Sequence, residues 1–214
     1  PGDAGPAGQV LLSVKPQLLD AVAGDVADLV GPDTRLLSIL AGVEIAALRA
    51  RFPKAAKIVR IMPNLPAALG QGVIALHCAE GPDAATAALM APLGLVEWIA
   101  DEDQLHLVAA LAASGPAFLY RFIDALGVAA ARLGLEPGQA ARLAMAMVEG
   151  SALLAAQSDE APALLADRVA SKGGMTREGL DILDANEALV RLLTATLDAA
   201  ARRSAEMGDA ARRS

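Results

Sequence analysis

The sequence predicts an α/β domain followed by an all-helical domain, and three observations predict it. Up to Trp98, short apolar runs of strand length alternate with stretches of helical period, the order expected of a parallel sheet with crossover helices. From Asp101-Glu102-Asp103 onward, no run reads as a strand. Apolar residues make up 55% of the 214 residues but aromatics only 2%, so the core is mostly Ala, Leu and Val, and the helices can approach one another closely. The boundary is therefore placed after Glu102, which gives domains 1–102 and 103–214.

Taken in order, residues 1–8 have the Pro/Gly composition of a loop or linker. Val10 to Val14 is a short apolar strand that ends at Lys15-Pro16, and the fixed φ of Pro16 suits the first turn of a helix. Gln17 to Val30 carries apolar residues at helical spacing and stops at Gly31-Pro32-Asp33. Leu36 to Leu40 is a second buried strand, Ala41-Gly42 a turn, 43–51 a short helix, and Lys57 to Ile61 a third strand. In Met62-Pro63-Asn64-Leu65-Pro66 the prolines bias the preceding residues away from the helical region, which predicts a stiff loop. Gly72 to Leu76 is a strand, Pro82 to Ala91 a helix, and Leu95 to Ile99 the last strand. Helices are then expected over 104–111, over 117–133 from a start at Ser114-Gly115-Pro116, and over 139–157, 162–169 and 176–184. A last helix is expected from an Asn186 cap to about Met207, with a frayed Arg212-Arg213-Ser214 tail.

Composition excludes several functions. Eighteen basic residues against 25 acidic ones give a net charge of −7, and no basic run is present, so nucleic acid is a poor partner. Cys78 is the lone cysteine and cannot form an internal disulfide, which fits a reducing, cytoplasmic setting. It and the two scattered histidines have no metal-site spacing, so no metal is expected. No signal peptide and no unbroken apolar run of spanning length is apparent, so no membrane partner is expected either. His77 reads as a strand-end side chain, His106 as a helical residue facing solvent, and Met145 and Met147 as core filler.

The chemistry gathers at Val169-Ala-Ser171-Lys-Gly173-Gly174-Met175-Thr176, between two helices. Glycines let a backbone approach a ligand, the first amides of a helix have no intrahelical partner, and two hydroxyls stand close by, so this stretch can cradle a carboxylate or phosphate. It also reads as a plain helix end followed by a helix start. No nucleophile elbow surrounds Ser114, and no pair of carboxylates stands out as acid and base. Such a lack of reactive groups suits a site whose cofactor supplies the reacting atom. In an α/β sheet a nucleotide binds beyond the carboxyl ends of the strands, here Ser13-Val14-Lys15-Pro16 and Leu40-Ala41-Gly42. On spacing alone, these are equally ordinary tight turns.

Several ordered blocks resemble the pyrroline-5-carboxylate reductase family: Val14-Lys15-Pro16-Gln17, Ser38-Ile-Leu-Ala41-Gly42-Val43, Arg60-Ile-Met62-Pro63-Asn64-Leu-Pro66, Ala113-Ser114-Gly115-Pro116-Ala117-Phe118 and Ser171-Lys-Gly173-Gly174-Met175-Thr176. The resemblance implies a partial Rossmann-type dinucleotide-binding domain followed by a helical dimerisation and substrate-binding domain. It implies hydride transfer from NADPH or NADH to the C=N of 1-pyrroline-5-carboxylate, giving proline, by a homodimer or higher homo-oligomer. By the same resemblance, Val169, Ser171, Gly173, Gly174, Met175 and Thr176 bind the substrate, with the Thr176 hydroxyl acting on the ring nitrogen. Ser13, Val14, Lys15, Pro16, Ala41, Met62, Pro63 and Asn64 line the cofactor.

This sequence departs from the family pattern in several places. Lys172 stands where the family has Pro, Met175 where it has Thr or Ala, Ala113 for Gly and Phe118 for Tyr. No Gly-x-Gly-x-x-Gly follows a strand, so roughly the first quarter to third of the family's length, with its phosphate-binding turn, is expected to lie outside these residues. The alternatives are a related two-domain imine or hydroxyacid oxidoreductase, or an inactive, truncated dimer module.

Overall fold

A computed structural model describes residues 5–213, with side chains through residue 209. Residues 1–4 of the expected N-terminal loop and Ser214 of the expected frayed tail lie outside the described residues. The chain forms two compact units: residues 1–115 with 197–214, and residues 116–196. This is a different cut from the boundary placed after Glu102, because residues up to Gly115 and the end of the last helix belong to the first unit.

The first unit is built on a five-stranded sheet in the order β1 (Gln9–Leu12), β2 (Arg35–Ser38), β3 (Lys57–Met62), β4 (Gly72–His77) and β5 (Gly94–Trp98). β1, β2 and β3 run parallel, joined by α1 (Leu19–Ala27) and α2 (Ile45–Arg51), so their carboxyl ends share one edge. The alternation of side chains along β2 and β3 sorts the core onto two faces. Leu36 and Ile58 pack with Leu48 and Phe52 under α1 and α2, while Leu37, Val59 and Ile61 pack with Ile74 and Leu76 on the other face. Leu36, Leu48, Ile58, Ile74 and Leu76 are fully buried, each contributing on the order of 1.5–3 kcal/mol.

The expected parallel sheet holds at three of its four strand pairs and differs at one. β4 runs antiparallel to β3, with Met62 opposite Ala75 and Arg60 opposite His77. The physical reason is the connection: a parallel crossover needs about a dozen residues or more, usually a helix, and the short Leu65–Leu69 3-10 turn supplies none. β5 returns parallel to β4 through α3 (Ala84–Met90). At the start of α3, Asp83 accepts hydrogen bonds from the Thr86 amide at 2.9 Å and hydroxyl at 2.5 Å, and pairs with Arg35 at 2.7 Å.

A second correction concerns the helices after the sheet. The expected separate helices over 104–111 and 117–133 are one run: α4 (Gln104–Val108), a wide π-type turn over Ala109–Ala113, then α5 (Gly115–Arg132). The Ser114 amide donates to the Ala109 carbonyl at 2.9 Å, five residues back, so the extra residue is absorbed without ending the helix. By length and composition, Gln104–Arg132 is the one helix among the described residues that could cross a bilayer, and dividing it at Ser114 hid this from the sequence reading.

The second unit contains α6 (Pro137–Ala156), α7 (Pro162–Val169) and α8 (Met175–Asp184), and α9 (Ala188–Arg213) starts within it. Glu136 caps α6 by accepting from the amides of Gly138 and Gln139 at 2.8 and 2.6 Å. Met145 and Met147, expected as core filler, are about half exposed in the protomer. α9 continues past Met207, and its far end packs within the first unit: Gly208 lies so near Gly42 that a Cβ on Gly42 would stand 3.3 Å from the Gly208 backbone.

Candidate functional site

The candidate residues fall into two groups, one in each unit. In the first unit they occupy the carboxyl edge of the parallel strands. Ser13 and Lys15 are exposed just beyond β1, and Pro16 opens a short 3-10 turn whose Leu18 amide bonds to the Lys15 carbonyl at 2.9 Å. The Val14 side chain packs on the core under α1, so any ligand contact there falls to its backbone. Beyond β2, Ala41 is exposed and Gly42 has φ of +74°, a left-handed conformation that favours glycine. Ser38 Oγ accepts from the Leu40 amide at 3.3 Å and ties the start of that turn.

Beyond β3, Met62, Pro63 and Asn64 are partly buried. The Asn64 carboxamide is occupied at both ends: Oδ1 accepts from the Val73 amide at 2.9 Å, and Nδ2 donates to the Ala112 carbonyl at 3.1 Å. That carbonyl lies in the π-type turn, four residues before Pro116, which has no N–H to offer it. Asn64 thus satisfies a helix carbonyl that the proline leaves open, and it fixes the loop that carries Met62 and Pro63.

The polar side chain behind these turns is Arg60, whose residue is 3% exposed in the middle of an apolar strand. Its position in the β3 alternation puts it on the α2 face. Its guanidinium bonds Glu102 Oε1 at 2.8 Å, and the same oxygen accepts from the Ile45 amide, the first residue of α2, at 2.8 Å. Sequence reasoning reads Glu102 only as part of the acidic domain boundary and gives no sign of this pair. The available signal was Arg60 itself, since a charge within a buried strand needs a partner. His77, opposite Arg60, is the last residue of β4 and donates from Nδ1 to the Ile99 carbonyl at 2.8 Å, in keeping with its reading as a structural strand-end residue. His106, expected to face solvent, is instead half-buried, with Nδ1 3.0 Å from Ser204 Oγ.

In the second unit the candidates form the turn between α7 and α8. The Gly174 amide donates to the Ser171 carbonyl at 2.9 Å and closes the turn. Gly173 at φ +70° occupies its third position, while Lys172 keeps negative φ, the pattern of a type II turn. Lys172 therefore sits at the position that Pro favours. Gly174 is the N-cap of α8, with φ −84° and ψ 159°, and its carbonyl accepts from the Arg177 and Glu178 amides. A Cβ on Gly174 would stand 2.5 Å from Ser171 Oγ.

Among the described residues, no acceptor claims the Met175 or Thr176 amides, and no partner engages Ser171 Oγ or Thr176 Oγ1. These unclaimed donors gather at the positive end of α8's dipole, an arrangement that receives an anion. Val169 and Met175 are 69% and 91% exposed, so their side chains border the turn rather than build it. Arg177 pairs with Asp167 at 2.7 Å, and that hydrogen bond raises its pKa, so it stays charged but engaged. Cys78 is buried, and burial pushes its thiol up to about 11, which keeps it protonated and unreactive. Among the described residues, no three His, Cys, Asp or Glu side chains gather as a metal site.

Comparison with known proteins adds to this geometry. Residues 102–207 match the family model for pyrroline-5-carboxylate reductase dimerisation. The pyrroline-5-carboxylate reductase of Pseudomonas aeruginosa is 37% identical over 206 residues, covering 94% of this chain and 74% of that protein. The Synechocystis enzyme is also 37% identical, over 93% of this chain and 74% of its own length. Among solved structures, a Coxiella burnetii pyrroline-5-carboxylate reductase superposes with a TM-score of 0.86 at 32% identity, covering 94% of this chain and 76% of that one. The Plasmodium falciparum pyrroline carboxylate reductase with NADP bound gives 0.75 at 25% identity, covering 94% and 78%.

Proposed function

The chain belongs to the pyrroline-5-carboxylate reductase family, and from that premise we propose how its own residues divide the work of reducing 1-pyrroline-5-carboxylate to L-proline. NAD(P)H supplies the hydride that adds to the C=N carbon. The carboxyl ends of β1, β2 and β3 fit such a cofactor, because the exposed small residues Ser13 and Ala41 leave the backbone accessible there. Ser13 to Pro16 and Ala41 would hold it, and Met62 and Pro63 would contact its nicotinamide end. Asn64 positions those two from behind, its carboxamide being already engaged.

The observation that carries the substrate assignment is the turn before α8, with two free amides, two free hydroxyls and room made by Gly174. The Met175 and Thr176 amides and Ser171 Oγ bind the substrate carboxylate. Holding it fixes which face of the ring is presented. Thr176 Oγ1 hydrogen-bonds the ring nitrogen and stabilises the proton and charge that gather there as the carbon accepts hydride. Gly173 and Gly174 give the backbone its approach, and Val169 and Met175 border the bound ring. The match of 102–207 to a dimerisation family supports a homo-oligomer, at least a dimer, as the working enzyme, and a reducing, cytoplasmic setting suits its lone cysteine. The net charge of −7 disfavours nucleic acid.

The test is Thr176→Ala. Turnover should fall about a hundred-fold while NADPH binding stays within about two-fold of the parent, since only the substrate loses a partner. Equal turnover in that variant removes Thr176 from the mechanism.

A further inference from the structure

We infer that Glu102 is a positioning residue for cofactor binding: one carboxylate oxygen sets the spacing between the two turns that hold the cofactor. The inference rests on the reading of Ala41 and Met62-Pro63 as cofactor contacts. Those contacts belong to different elements. Ala41 lies between β2 and α2, and Met62 ends β3. Glu102 Oε1 is 2.8 Å from the Ile45 amide, which begins α2 four residues after Ala41, and 2.8 Å from Arg60 Nη1, two residues before Met62. A single atom therefore joins the helix that follows one turn to the strand that precedes the other.

The linkage is directional and buried. The Arg60 side chain is 4% exposed, so it has no ready supply of water to replace the carboxylate. Arg60 lies beside Ser38 in the parallel register, and Ser38 Oγ takes the Leu40 amide just before Ala41. Ser38, Arg60 and His77 thus form one polar row across three neighbouring strands, and Glu102 anchors its centre. If that anchor is withdrawn, α2 loses an N-terminal acceptor and β3 holds an unpaired cation. Either shift moves one cofactor turn against the other. Errors on the scale of an ångström in such a site reduce binding or rate by about ten- to a hundred-fold.

The experiment measures NADPH Kd by fluorescence titration, together with KM and kcat, for the full chain and four variants. Glu102→Ala should raise NADPH Kd and KM at least about ten-fold while kcat at saturating NADPH stays within about three-fold. Glu102→Gln, which keeps an acceptor oxygen for Arg60 and for the Ile45 amide, should recover most of that affinity. A folded Glu102→Ala protein with a lower Tm but the parent NADPH Kd overturns the inference and leaves Glu102 a purely structural residue. If Glu102→Ala fails to fold, Glu102→Asp decides: its shortened side chain cannot reach both donors, and a parental Kd overturns the inference equally. Ala41→Trp separates this failure from failure of the underlying reading. If it binds NADPH as the parent does, the cofactor assignment falls and takes the inference with it. If it weakens binding while the Glu102 variants do not, only the positioning role falls.

Discussion

At the carboxyl edge of the sheet, the turns after β2 and β3 are tied from behind by polar side chains, whereas the turn between α7 and α8 is closed by one backbone hydrogen bond. Ser38, Arg60, Asn64 and Glu102 hold the first region in place, and their polar atoms are spent on protein groups. In the second region Ser171, Thr176 and two amides keep theirs unspent. The difference teaches what each region is for. A long cofactor touching several strands needs those strands in fixed register. A small anion needs donors that have no other partner, and a short turn can present them cheaply.

Three changes would break or sharpen that contrast. The largest effect is expected at Gly174. Gly174→Ala places a Cβ 2.5 Å from Ser171 Oγ and forces that hydroxyl into another rotamer. Substrate KM should rise about ten-fold, as it should for Ser171→Ala, with NADPH binding unchanged. The double variant should be no worse than either single one, because both remove the same contact. Additive losses would show that Ser171 is not what Gly174 makes room for.

Next in size is Asn64→Ala, in the tied region. It leaves the Val73 amide and the Ala112 carbonyl without partners and should cost about 1–3 kcal/mol in urea unfolding. NADPH KM should rise and substrate affinity should not. A variant as stable as the parent would mean that water replaces the carboxamide, and the contrast between the regions would narrow.

The smallest effect is expected at Lys172→Pro. Lys172 holds the second position of a type II turn, where proline's fixed φ matches the backbone. Thermal unfolding should show a gain of about 0.4–1 kcal/mol, with substrate KM little changed. A large rise in KM would instead assign the lysine's charge a part in binding.

The sequence made different parts of these regions legible. The strands are visible because Leu36, Ile58 and Ile74 sit in short apolar runs bounded by Gly, Pro or charge, and each lies inside the strand expected for it. Strand direction is not written in such runs. It depends on the length of the connection, and the nine residues from Pro63 to Gln71 are too few for a crossover helix. The glycine pair before α8 is readable because backbone approach leaves a compositional trace. Glu102 is not, since its partners lie in distant segments and its neighbours Asp101 and Asp103 make it look like surface charge. The role of Asn64 was also hidden, although Pro116 marks a helix carbonyl in need of a donor.

The antiparallel turn of the sheet bears on how the chain folds as well as on its final shape. β3 and β4 pair across a short connection, while each parallel pair must first fold a helix into its crossover. The entropy lost on closing a loop grows with its length, so β3 and β4 are the strands able to meet first. That pairing aligns Arg60 with His77 and Met62 with Ala75, and on loop length alone it is expected to precede the docking of β1 and β2. The loop they enclose carries Pro63 and Asn64. One wall of the proposed cofactor site would thereby be a product of the earliest contacts the chain makes, with the remaining strands assembling against it.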